Sequence, residues 1–236
     1  MKSTLILNSH CNTEFAKKIN SKLVKNINSL ILQKFGSKKD LKMSIIITAK
    51  LNLYYKSNSR NYLIRKAKII CNEYKNILKI PVTAVDCSTS DKIQHFKENI
   101  ESSNIILVLG GDTFYLLYHL KKTGMLYVLR NHIINNNIIY VGCCSGSIIL
   151  GSTIYPAYIY RRYPNFSRKY TLKNIYKKKY FNNKSNQKSL NLLKNKDVLT
   201  YCKTKRVTNK KKPTIINLNN RKKFICLHNK ESLIIN

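Results

Sequence analysis

The stretch Tyr140-Val-Gly-Cys-Cys-Ser-Gly-Ser-Ile-Ile-Leu-Gly151 decides the fold, because an apolar run passes directly into a turn of small residues and then into a helical pattern. The residues from Ile138 to Val141 are β-branched or aromatic, which predicts a buried strand, and the apolar spacing after the turn predicts a helix. Gly142 and Gly146 bracket Cys144 symmetrically. Such a strand, turn and helix can hold its central residue in a strained conformation that raises the side chain above the sheet.

Cys144 is therefore the candidate nucleophile of this turn. The start of the following helix supplies N–H groups and a positive dipole end, which favour a thiolate and later an oxyanion. Two alternatives stay open: Cys144 is a small buried cysteine in a tight turn, or the turn is shifted by one residue and exposes Ser145. The symmetric glycine spacing favours Cys144 over Ser145. Cys143 is expected to point toward the helices beneath the sheet.

A second glycine turn follows an apolar strand in Asn104-Ile-Ile-Leu-Val-Leu-Gly-Gly-Asp-Thr-Phe114. Gly110 and Gly111 offer backbone N–H groups, and Asp112 can cap a helix over Thr113–Leu120. Two strand, glycine and helix units that are one crossover apart place their turns side by side at the carboxyl edge of a parallel sheet. The sequence thus predicts adjacent strands, with a nucleophile on one turn and an oxyanion hole on the other.

Three stretches carry a resemblance to a known family: Val108-Leu-Gly-Gly-Asp-Thr-Phe114, Tyr140-Val-Gly-Cys-Cys-Ser-Gly146 and the run from Ile225 to Ile235. With them the sequence resembles the dipeptidase E and cyanophycinase family of serine peptidases, peptidase family S51, within the class I glutamine amidotransferase-like α/β folds. Residues 101–154 match best, and the first hundred residues fit in order and spacing. The resemblance implies a peptidase that forms an acyl-enzyme and acts on small peptides.

The resemblance also assigns roles to individual residues. The family's serine nucleophile lies on Cys144, so the nucleophile has changed type. Its oxyanion-hole glycine and the following asparagine lie on Gly111 and Asp112, and Ser145 completes the set of oxyanion donors. The family's catalytic histidine falls near Lys179-Tyr-Phe-Asn-Asn183, where this sequence has no histidine.

The acidic members of the family's site are also missing, since their positions fall on Ile159 and Asn229. His228 is the later histidine, and it follows the strand pattern of Phe224–Leu227. We hypothesise a rebuilt Cys144–His228 dyad in which the imidazole takes the thiol proton and Asn229 or Glu231 orients the ring. The alternative is a surface histidine in a hairpin turn.

Length and cysteine usage indicate the general class of protein. The 236 residues suit one compact domain. The short apolar run at Leu5–Leu7 is too brief for a signal peptide or a membrane span, which predicts a soluble, cytoplasmic protein without membrane contact. The seven cysteines lack C-x-x-C spacing, which argues against a disulfide framework or structural zinc. We expect no metal or other cofactor, and the sequence does not indicate an oligomeric state.

The formal net charge of +34 is concentrated in one part of the chain. Residues 1–150 hold 22 basic and 8 acidic side chains, whereas residues 151–223 hold 21 basic and 1 acidic. A charge of this size is typical of proteins that bind polyanions. The chain is also rich in Lys, Asn and Ile, a bias that codon usage can produce without selection for binding, so a nucleic-acid partner is not favoured.

Alternating strand and helix patterns predict the fold class. Five βα units between residues 4 and 153 indicate a doubly wound parallel sheet between two helical layers. The periodicity fades over 155–212, which is expected to be a basic, insertion-like segment that proteases cut first. Three β-rich runs then look like the family's antiparallel closing strands. They are Thr214–Asn217, Lys223–Leu227 and Ser232–Ile235.

Two functions from different classes remain. The first is a peptidase-like hydrolase that uses Cys144. The second is a catalytically inactive relative that acts as a binding or scaffold protein through the basic segment, and the missing histidine and acid favour it. Preferential modification of Cys144 by a thiol-directed probe at mildly acidic pH would indicate the enzyme.

Overall fold

The structure is a computed structural model. It describes residues 3–9, 21–51, 60–157, 180–181, 183–193, 196–200, 214–218, 222–227 and 232–236. Within these ranges the chain forms nine strands and seven α-helices. The strands are β1 (Thr4–Asn8), β2 (Met43–Ile46), β3 (Val82–Val85), β4 (Ile105–Val108), β5 (Ile139–Cys143), β6 (Lys196–Thr200), β7 (Thr214–Leu218), β8 (Lys222–Leu227) and β9 (Ser232–Ile235). The helices are α1 (Ser21–Phe35), α2 (Thr48–Leu51), α3 (Arg60–Leu78), α4 (Ile93–Glu101), α5 (Thr113–Lys122), α6 (Met125–Asn135) and α7 (Ser145–Ile148).

The main sheet has six strands in the order β3-β2-β4-β5-β1-β9. Strands β1 to β5 pair in parallel, and β9 is antiparallel to β1. In β4 and β5, Val108 pairs with Gly142, so the two glycine turns that follow these strands lie side by side. The predicted adjacency of the two strands is confirmed.

Helices cover both faces of this sheet, because its central strands are apolar on both sides. Alternate residues of β4 point into two separate cores: Ile105 and Leu107 face α1 and α3, and Ile106 and Val108 face α4, α5 and α6. All four side chains are fully buried. The chain is therefore the three-layer α/β fold that the alternating pattern predicts.

Three elements were not predicted from the sequence, namely α2, α6 and β6. The helix predicted after the Cys144 turn is short, since α7 ends at Ile148. In contrast, the capping prediction at Asp112 is confirmed, because its carboxylate accepts the backbone N–H groups of Phe114 and Tyr115. Helix α5 begins at Thr113 as predicted and ends at Lys122, two residues beyond Leu120.

A second sheet has the order β6-β8-β7, with β6 parallel to β8 and β7 antiparallel to it. Strand β6 lies within the segment 155–212 and packs against α7. That segment also contributes Phe181, Leu190 and Val198 to the core. The single domain with an insertion at 155–212 stays a prediction, because 158–179 and 201–213 lie outside the described residues.

Candidate active site

The candidate site lies where β5 turns into α7, beside the turn that follows β4. Cys144 joins the two elements with φ 49° and ψ −101°, a conformation that L-residues rarely adopt. The adjoining glycine turn is in direct contact with it. A Cβ built on Gly110 would be 3.0 Å from the Cys144 Cβ, so a larger residue at this position would have to displace Cys144 by a few tenths of an ångström.

Gly142 and Gly146 are required because two chain segments approach each other closely. A Cβ on Gly142 would be 2.7 Å from the backbone of Gly146. A Cβ on Gly146 would be 2.5 Å from the carbonyl oxygen of Val108 in β4. The glycine spacing around Cys144 therefore reflects the packing of α7 onto both β4 and β5.

Hydrogen bonds hold the strained turn in place. The Cys144 N–H donates to Asn8 O at 2.9 Å, and the Asn8 N–H donates to Ser147 Oγ at 3.0 Å. Ser147 Oγ also lies 2.6 Å from Gly142 O, and the buried Tyr140 hydroxyl donates to Gly146 O at 2.9 Å. These bonds stabilise a backbone conformation that costs on the order of 1–3 kcal/mol.

The Cys144 side chain is half-buried, and its sulfur lies 3.8 Å from Thr200 Oγ1 at the end of β6. Burial raises the pKa of the Cys144 thiol above its ordinary value. The Thr200 hydroxyl and then the Lys50 charge act in the opposite direction, followed by the N–H and hydroxyl of Ser145. The net direction is upward, so the thiol is the favoured form at neutral pH. The backbone N–H of Ser145 at the start of α7 acts in the expected direction and lowers the pKa of the thiol, but burial is the larger effect.

The neighbouring Cys143 differs from Cys144. It is fully buried in the core shared with α1 and α3, as its predicted orientation requires. It is also disulfide-bonded. Cys71, Cys87 and Cys226 are buried thiols.

The predicted oxyanion donors Gly111 and Asp112 already make hydrogen bonds within the fold. The Gly111 N–H donates to Ser145 Oγ at 3.1 Å, and the Ser145 hydroxyl donates to Gly111 O at 2.6 Å. The Asp112 N–H donates to Ala49 O in α2 at 2.9 Å. Ser145 is fully buried, so its side chain is not the exposed one of this turn. Its backbone N–H acts to lower the pKa of the Cys144 thiol.

The region that corresponds to the family's histidine is aromatic. Phe181 is buried and its ring packs edge-on against Phe114 of α5, with the ring centroids 5.3 Å apart. His228, Ile159 and Asn229 lie outside the described residues. The residue before His228 is Leu227, which pairs with Thr200 across β6 and β8. Thr200 is in turn the side chain that contacts Cys144.

Two polar residues on β6 were missed by sequence reasoning, Asp197 and Thr200, both of which are buried. The carboxylate of Asp197 accepts the hydroxyl of Ser152 and both the N–H and the hydroxyl of Thr153, each at 2.7 Å. The short run Val198-Leu-Thr200 is the only sequence signal for this strand. It is apolar but lies in a Lys- and Asn-rich context that hides it.

His132 is buried in α6, where its Nε2 lies 2.8 Å from Ser103 O. Within the described part of the chain, no cluster of His, Cys, Asp and Glu could hold a metal ion. Of the helices that the structure describes, none is long and apolar enough to cross a bilayer.

Comparisons with known proteins agree with this architecture. A crystal structure described as a peptidase E protein from Listeria monocytogenes EGD-e superimposes with a TM-score of 0.60 at 18% identity, covering 100% of this chain and 95% of the other. A peptidase from an acI-B1 Actinobacterium gives a TM-score of 0.61 at 15% identity, with 100% and 84% covered. No curated protein matches the sequence. The model of Peptidase family S51 matches residues 70–235, so the chain belongs to this family of peptidases.

Proposed function

We propose that this chain is a peptidase-like hydrolase of the dipeptidase E type that cleaves small peptides through an acyl-enzyme on Cys144. One observation carries the proposal: Cys144 holds a φ of 49° between β5 and α7, in contact with the Gly110 turn. Strained residues at the carboxyl edge of a parallel sheet are concentrated at active sites. A purely structural cysteine gains nothing from this conformation.

In the proposed reaction the Cys144 sulfur attacks the peptide carbonyl carbon and forms a thioester. The leaving amine takes a proton from the general acid, and water then hydrolyses the thioester to release the carboxylic acid product and the Cys144 thiol. Ser145 and Gly111 are proposed to supply oxyanion N–H groups, with Asp112 as the third candidate. Because the Gly111 N–H is bonded to Ser145 Oγ, its use requires the Ser145 hydroxyl to turn away.

The base proposed for this reaction is His228. The raised pKa of Cys144 makes a proton acceptor necessary, because the thiol is otherwise protonated at neutral pH. His228 directly follows Leu227, whose strand partner Thr200 contacts the sulfur. This register supports a Cys144–His228 dyad, with Asn229 or Glu231 orienting the ring.

Loss of activity upon substitution tests the proposal. We expect the wild-type protein to hydrolyse members of a dipeptide and tripeptide panel, and Cys144→Ala to show no hydrolysis. His228→Ala is expected to lower kcat/KM by about 100-fold or more, the range of general acid–base catalysis. Cys71→Ala, which removes a buried thiol in α3, serves as the matched control and retains activity. Hydrolysis that persists in Cys144→Ala contradicts the assignment of the nucleophile.

The second candidate is a catalytically inactive relative that binds a partner. It is favoured by the raised pKa of Cys144 and by the aromatic side chain of Phe181 near the position of the family's histidine. In that case no peptide of the panel is cleaved. Iodoacetamide then modifies Cys144 as slowly at pH 6 as an ordinary cysteine, and His228→Ala leaves this rate unchanged.

A further inference from the structure

We propose that Thr200 is a positioning residue whose hydroxyl donates a hydrogen bond to the Cys144 sulfur and holds it in place for reaction. The importance of this contact for peptide cleavage rests on the function proposed above. The contact itself does not depend on that function, because its effect can be measured on the reactivity of the Cys144 thiol.

The geometry of the pair supports this role. Thr200 Oγ1 lies 3.8 Å from the Cys144 sulfur, within the range for hydrogen bonds to sulfur. Thr200 is fully buried, and a buried hydroxyl without a hydrogen bond destabilises a fold. The bond to Cys144 therefore stabilises the folded state. The hydroxyl is a donor and the thiolate is purely an acceptor, so this bond strengthens when the sulfur loses its proton.

The position of Thr200 is fixed by the rest of β6. Asp197, three residues earlier, accepts three hydrogen bonds from Ser152 and Thr153, which follow α7. The Ser152 N–H also donates to Lys196 O at 3.0 Å. The short segment from Cys144 through α7 to Thr153 is therefore joined to β6 at both ends. Cys144 contacts Thr200 at one end, and Ser152 and Thr153 bond to Asp197 at the other. Thr200 is thereby held against the sulfur with little freedom to move.

Other groups also act on the sulfur and must be kept constant in a test. Lys50 of α2 contributes a positive charge, and the backbone N–H and hydroxyl of Ser145 also lower the pKa of the thiol. His228 follows β8, the strand beside Thr200. None of these groups is altered by a substitution at position 200, so a change in the pH dependence of the thiol reports on the hydroxyl.

The test is the pH dependence of Cys144 alkylation by iodoacetamide, followed by peptide mass spectrometry from pH 6 to pH 11. Thr200→Val replaces the hydroxyl by a methyl group of similar size, and Thr200→Ser keeps the hydroxyl. We expect the midpoint of the profile to rise by about one pH unit in Thr200→Val and to stay near the wild-type value in Thr200→Ser. At a pH below both midpoints, this corresponds to alkylation about ten times slower.

The Thr200→Ser and Thr200→Ala pair repeats the test if Thr200→Val does not fold, because these two variants differ only in the hydroxyl. Thermal unfolding of each variant shows whether the fold is retained. Equal midpoints in the variants with and without the hydroxyl overturn the proposal. If Thr200→Val shifts the midpoint but the wild-type protein cleaves no peptide, the positioning role stands and only the proposed peptidase function fails.

Discussion

The Ser145 hydroxyl makes three hydrogen bonds within the fold. Its Oγ accepts the Gly111 N–H and the Thr113 hydroxyl, both at 3.1 Å, and donates to Gly111 O. Ser145→Ala leaves these buried groups without their partner. We therefore expect the free energy of unfolding to fall by about 1–3 kcal/mol, measured by urea denaturation.

Ser29→Ala is the control for this substitution. Ser29 is exposed on the solvent side of α1, so its removal is expected to change the free energy of unfolding by at most about 0.5 kcal/mol. If Ser145→Ala unfolds at the same urea concentration as Ser29→Ala, the hydrogen bonds at Gly111 do not stabilise the fold.

At the scale of elements, the position of α7 depends on the close approach of Gly146 to β4. The Cβ of an alanine at this position would lie 2.5 Å from Val108 O and 2.8 Å from Val108 Cβ. Because α7 is also packed against β5, it cannot move away, and overpacking of this kind costs about 3 kcal/mol. We expect Gly146→Ala to lower the free energy of unfolding by that amount, as measured by chemical denaturation.

Gly36→Ala provides the matched comparison. Gly36 has a φ of 71° but no atom within 4 Å of the built Cβ, so the substitution introduces backbone strain without a clash. Its expected cost is about 1 kcal/mol. An equal loss in the two variants would mean that the contact with Val108 is relieved by a small shift of α7, and that the packing is looser than described.

The elements that could be predicted from the sequence are those whose signal is local. β4 and β5 are apolar runs because helices cover both their faces, and the Asp112 cap depends on amides two and three residues away. Strand β6 was missed because its buried Asp197 is satisfied by residues more than 40 positions earlier. Similarly, the hydrogen bond between Gly111 and Ser145 joins two turns, so the sequence of neither turn alone predicts it.

For the whole molecule, buried thiols make the folded state less stable as the pH rises into the alkaline range. Burial raises the pKa of both Cys71 and Cys87 to about 12, from an ordinary value of 9.0. The folded state therefore keeps these protons when the unfolded chain has lost them. The stabilisation is complete below pH 9 and is lost as the pH rises toward 12, with a limiting slope of about 1.4 kcal/mol per pH unit for each thiol.

Urea denaturation between pH 8 and pH 11 measures this dependence. Cys71→Ala removes one of the two groups, so its free energy of unfolding is expected to decline less steeply with pH than that of the wild-type protein, whatever its value at pH 8. A parallel decline in both proteins would show that Cys71 does not keep its proton in the folded state.

The pairing of β6 with β8 also fixes when the candidate site is completed during synthesis. Thr200 is made 56 residues after Cys144, and Leu227, its strand partner, is made later still. At translation speeds of about 5–20 residues per second, both Thr200 and Leu227 have been added on the order of 10 s after Cys144. The five parallel strands of the main sheet are already synthesised by then. Under the proposed function, catalytic competence is therefore withheld from the nascent chain until Leu227 has been made.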